Sequence, residues 1–166
     1  MRMSLKTKTT RRDFGANRIR QINKKLLAKN APYVKSGFPS EKKESKKKYK
    51  IGKTVLDVAV AHEYGLDGLP ERSFMRSTFL KEKRKYSALS ARLVNRIIRK
   101  KESVPGALEK MGLLMVKDIK NFIRRRKVRP KSYRAVREGG TTLYDTGQLI
   151  NSLTHRVENA KGFKKL

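Results

Sequence analysis

At 166 residues the chain suits a single domain with a core of modest size, and an apolar content of 37% is low for a compact globule of that length. Cysteine is absent, which excludes disulfides, thiolate zinc sites and thiol catalysis and suits a reducing compartment. The formal net charge of +30 makes the chain repel itself unless a polyanion, an acidic protein or salt is nearby, and nucleic acid is the commonest such partner.

In chain order, the first residues are basic but lack the apolar stretch of a secretory signal, and no run of about 18 apolar residues predicts a membrane span. Net charge is +15 over residues 1–53, +5 over 54–103 and +10 over 104–166. From Arg11 to Asn30, Ile19, Ile22, Leu26 and Leu27 recur at helical spacing on a basic background, which predicts a helix with a narrow apolar stripe. Ala31–Pro39 reads as a short strand closed by Gly and Pro. Residues 40–53 form a lysine-rich loop, with no apolar side chain between Ser40 and Tyr49.

"KTVLDVAVAHEYG" follows, with Thr54 as N-cap, Asp57 in the first turn and Gly65 as C-cap. A run of this length also suits a strand; the alanines and the caps favour a helix. Phe79, Tyr86, Leu89, Leu93 and Ile97 then predict a long amphipathic helix from about Ser73 to Arg99. Leu108, Met111, Met115, Ile119 and Phe122 predict a second, opened by Ser103 and Pro105 and closed by a basic run from Arg124 that suits the helix dipole. After Gly139-Gly140, Asp145 and Gln148 have capping-box spacing ahead of a short helix, and "LTHRVE" alternates as a strand does. The expected fold is α+β: two long amphipathic helices and shorter helices on a small, mainly antiparallel sheet, with a basic N-terminal helix or arm. The expected division is residues 1–32 as that arm, 33–157 as one domain, and 158–166 as a basic tail.

Chemistry has no evident seat. A zincin helix needs a second histidine four positions after His62, and Leu66 stands there. His62-Glu63 therefore reads better as a hydrogen-bonded, capped helix end. No Gly-x-Ser-x-Gly elbow or Gly-rich phosphate loop occurs. Asp145-Thr146-Gly147 occurs once, where an aspartic protease needs two copies, and the long basic helices fit that all-β fold badly. The expectation is a protein that is no enzyme and holds no cofactor or metal. Basic clusters supply candidate contacts to DNA or an acidic neighbour. In the arm these are Arg11, Arg12, Arg18, Arg20, Lys24 and Lys25; in the loop, Lys42, Lys43, Lys46, Lys47 and Lys48; after the second long helix, Arg124, Arg125 and Arg126. Such contacts make binding salt-dependent without reading sequence.

Three stretches in fixed order carry a resemblance. They are "AHEYG", with His62, Glu63, Tyr64 and Gly65; "LPERSFMR", with Pro70, Arg72, Phe74 and Arg76; and "LYDTGQLINSL", with Asp145, Thr146, Gly147, Leu149 and Ser152. Between about Tyr33 and Val157 the chain resembles the tailed-phage virion morphogenesis family of tail-completion and neck proteins. The resemblance implies a structural protein of the head–tail junction, located in the virion after assembly in the host cytoplasm. It also implies a homo-oligomeric ring of six or twelve copies between portal-side and tail-terminator-side proteins, with possible contact to packaged DNA and none to membrane. The motif residues would then be structural: caps, a tight turn from Gly65 to Pro70, and an ion pair of Arg72 with Glu63 or Asp145. The alternative, which the charge alone would suit, is a cellular nucleic-acid-binding protein without sequence preference.

Overall fold

A computed structural model describes residues 16–17, 19–24, 31–38, 48, 52–125, 143 and 147–159. The fold is α+β. Strand β1 (Pro32–Gly37) leads to helix α1 (Val55–Tyr64), the long helices α2 (Phe74–Ile98) and α3 (Val104–Arg124), the short helix α4 (Gln148–Ser152) and strand β2 (Thr154–Asn159). The two strands pair antiparallel in a two-stranded sheet, from Pro32 opposite Asn159 to Gly37 opposite Thr154. Glu158 and Asn159 thus belong to the sheet, two residues beyond the expected domain limit at 157. Their place is fixed by the register, and Glu158 accepts from the Tyr33 hydroxyl at 2.9 Å and pairs with Lys35 at 2.9 Å.

Helix α1 starts where its caps put it. The Thr54 hydroxyl accepts from the Asp57 amide, the Asp57 carboxylate accepts from the Thr54 amide, and Gly65 ends the helix with φ of 70°. The Thr54 hydrogen bonds hold the Asp57 carboxyl below its ordinary range. Ser103 caps α3 through the Gly106 amide, with Pro105 in the first turn. Lys85 pairs with Asp118, and Ile97 packs with Ala107, so α2 and α3 run antiparallel as a helical hairpin.

One core lies where α1, the start of α2, the end of α3 and α4 meet: Val55, Ala59, Phe74, Val116, Ile119, Ile123, Leu149, Ile150 and Leu153. A second, smaller core sits at the turn end of the hairpin, where Ile22 from the helical residues 19–24 packs on Leu93, Ile97 and Ala107. Helix α3 lies against both α2 and the sheet. Its buried line is consequently Ala107, Gly112, Val116, Ile119 and Ile123, rotated from the expected stripe, of which Met115 and Phe122 are half-buried flanks. On α2 the expected stripe holds at Tyr86, Leu93 and Ile97. Phe79 stays in register, its ring 5.9 Å from that of Tyr86, but is 51% exposed because the stripe there faces an open groove.

The short helix departs from expectation in its cap. Its N-cap is Gly147, with φ of 70° and no side-chain cap bond, so it starts too late for a box from Asp145 to Gln148. Asp145 and Thr146 themselves lie outside the described residues.

Candidate functional site

The first two motif stretches form one corner. Helix α1 ends at Tyr64 and α2 begins at Phe74, so about four carbonyls at one end and four amides at the other need partners. The intervening turn has Asp67 and Gly68 at φ of 58° and 74°, and the Leu69 amide donates to the Leu66 carbonyl at 3.1 Å. Positive φ at both central residues is what a type I′ turn requires. Gly65 is needed twice over: besides its left-handed φ, a Cβ there would come within 2.8 Å of the Glu71 nitrogen.

Glu63 is 5% exposed. Its carboxylate accepts from the Met75 and Arg76 amides, both at 2.9 Å, and from Arg76 Nε at 3.2 Å. Ser73, the N-cap of α2, makes no side-chain cap bond, so a carboxylate borrowed from α1 takes that role, placed favourably at the positive end of the helix dipole. The exchange is reciprocal. Arg76 Nη2 donates to the Glu63 carbonyl at 2.6 Å and to Glu71 at 2.7 Å, and the Arg72 amide donates to the His62 carbonyl at 2.6 Å. The last carbonyls of α1 are therefore satisfied from the first turn of α2 and the residues before it. Tyr64 covers the corner, with the Arg76 guanidinium 4.8 Å from its ring centre.

Of the two partners expected for Arg72, Glu63 is paired with Arg76, and Asp145 lies outside the described residues. Arg72, 5% exposed, places Nη1 at 3.1 Å from Nδ1 of His62. A guanidinium can only donate, so Nδ1 accepts and the neutral ring carries its proton on Nε2. Burial first, and the Arg72 charge second, push the imidazole down to about 4. His62 is thus uncharged near neutral pH, a poor fit to proton shuttling there. Pro70 lies exposed in the turn, while Phe74 is fully buried and meets Phe38 edge-on at 6.3 Å between ring centres.

From the third stretch, Leu149 is buried in the main core, and the buried Ser152 donates from Oγ to the Gln148 carbonyl at 2.9 Å. Phe74 and Leu149 share one core, so the structure brings all three stretches together. It does not gather the basic candidates that are among the described residues. Arg20 and Lys24 are exposed on the helical residues beside the second core, whereas Arg124 and Arg125 are exposed at the opposite end of α3, roughly 25 Å away at 1.5 Å per residue. Lys48 is exposed and bridges to Thr54. Arg11, Arg12, Arg18, Lys25, Lys42, Lys43, Lys46, Lys47 and Arg126 lie outside the described residues. Among the described residues no group of three His, Asp or Glu side chains could hold a metal ion, and no helix is long and apolar enough to cross a membrane.

Beside the corner the surface turns apolar. One groove of about 390 Å3 is lined by Met75, Phe79, Leu80, Tyr86 and Met115, and another of about 400 Å3 by Phe38, Leu56, Val60 and Tyr64; Ser36, Met75 and Arg76 line both. Leu80 is 71% exposed. The sequence pattern did not disclose this seam, because Phe79 carries the spacing of a core residue. Comparison of the chain with protein-family models, with curated proteins and with solved structures finds no match.

Proposed function

We propose that this chain is a structural, non-enzymatic component of a tailed-phage head–tail junction, which forms or joins a ring of six or twelve copies between the DNA-filled head and the tail. The observation that carries the reading is the apolar seam around Met75, Phe79 and Leu80, built directly onto the corner made by the family-like stretches. A highly charged chain gains nothing from exposing such a strip alone, whereas a ring subunit covers it with its neighbour. The Glu63–Arg76 corner supports a structural use of the motif residues, since Glu63, Arg76 and the Arg72 amide satisfy helix ends and Phe74 and Leu149 lie in the core.

The test is the mass of the purified protein in about 0.3 M salt, by size-exclusion chromatography with light scattering. The expected result is a closed assembly of six or twelve copies, and its dissociation to monomers by Leu80→Asp with helix content unchanged. A wild-type protein that stays monomeric at every concentration, and is missing from purified virions by mass spectrometry, would remove the reading. The charge of +30 would then favour the second one, a nucleic-acid-binding protein without sequence preference.

A further inference from the structure

A further concave surface lies on the hairpin itself, away from the corner. Between α2 and α3 runs a polar groove of about 380 Å3, with Lys81, Glu82 and Lys85 on one wall and Lys117, Asp118, Asn121 and Arg125 on the other. Its charges are not equivalent. Asp118 is held by Lys85, whose Nζ reaches both carboxylate oxygens at 2.6 Å, and Glu82 lies 3.8 Å from the same Nζ. That leaves Lys81, Lys117 and Arg125, all exposed and none with an acidic partner among the described residues. Lys117, Asn121 and Arg125 stand at i, i+4 and i+8, which places them in one row along α3, about 12 Å long.

We propose that this groove binds the phosphodiester backbone of nucleic acid. Two lysines and an arginine free of carboxylates, with an amide between them, are donors only or donor-rich, as phosphate oxygens require. The row matches roughly three nucleotides at 3.4 Å of rise per strand. Among the described residues the one aromatic side chain in the groove, Phe122, is half-buried and packs on the main core, so none of them offers a ring for base stacking, and the recognition is of phosphates and not of sequence. Of the sequence clusters only the one at Arg124–Arg126 reached this groove, through Arg125; Lys81 and Lys117 were not singled out, because they are 36 positions apart and meet only through the hairpin. The site stands on the hairpin alone and does not depend on the ring.

The experiment is fluorescence anisotropy of a labelled 20-base-pair duplex titrated with the full-length protein across a series of KCl concentrations. The groove variant is K81Q/K117Q/R125Q. The control, K83Q/R84Q/R92Q, removes the same charge from α2 residues that do not line the groove. The groove variant is expected to lose at least about tenfold in affinity near 0.1 M KCl and to flatten the log–log salt slope by about 2 to 3, at roughly 0.9 per lost phosphate contact. The control should lose no more than about threefold. Equal losses would reduce the site to the general field of the protein and overturn the proposal, as would an undiminished groove variant. Should the triple variant lose its helical circular dichroism, Glu82→Gln decides: it should tighten duplex binding several-fold, where Asp67→Asn, an equal charge change outside the groove, should not. A labelled poly-glutamate that shows the groove dependence while the duplex does not would also overturn it, in favour of an acidic protein.

Discussion

Glu63 shows how much one side chain can settle. It is a buried carboxylate on the last turn of α1, and it spends both oxygens on the start of α2. Replacing the charge by an amide keeps the shape but sets an N–H2 group against amide donors. Hydrogen bonds to a charged group are worth about 1.5–3 kcal/mol, and a buried donor left unpaired costs a similar amount. Glu63→Gln is therefore expected to lower unfolding stability by about 2 kcal/mol in urea titrations, whereas Glu71→Gln, which removes only the exposed pair to Arg76, should change it by less than about 0.5 kcal/mol. Equal effects would mean that the exposed charge, and not the borrowed cap, holds the corner.

At the scale of elements, the tightest approach is between α3 and the sheet. A Cβ built on Gly112 would fall 2.5 Å from Cδ2 of His155 on β2 and 2.8 Å from Cγ2 of Val34 on β1. Glycine in mid-helix costs about 1 kcal/mol relative to alanine, yet here it lets helix and strands close. Gly112→Ala should accordingly destabilise by about 1–3 kcal/mol against its own helix propensity, read from thermal unfolding; a more stable variant would show that the sheet yields easily. These elements were largely legible beforehand. Caps at Thr54, Gly65 and Ser103 and the apolar spacing on α2 and α3 are local signals, and local signals set helix limits. What was not legible depends on tertiary contact. The partner of Glu63 is Arg76 because the turn brings the two helix ends face to face, not because of spacing. The buried line on α3 is rotated because the sheet, made from strands at opposite ends of the sequence, covers a face that the periodicity alone could not assign.

For the whole molecule, charge and packing compete. The chain carries +30, and its exposed ion pairs, such as Lys35 with Glu158 and Arg76 with Glu71, are each worth little in water. Screening should therefore relieve more repulsion than it removes attraction. Raising KCl from about 20 to 300 mM is expected to raise the melting temperature by several degrees, since about 1 kcal/mol shifts a domain of this size by 2–4 °C. A melting temperature that falls with salt would show that the ion pairs outweigh the net charge. The sheet adds a constraint of another kind. Tyr33 and its partner Glu158 are 125 positions apart, and β1 has its ladder only once β2 exists. During synthesis at about 5–20 residues per second, β1 leaves the ribosome several seconds to tens of seconds before its partner. Late in that interval, once Arg124 has been made, the helical hairpin can assemble from local contacts, while β1 still waits for β2, its protection resting with whatever holds nascent chains.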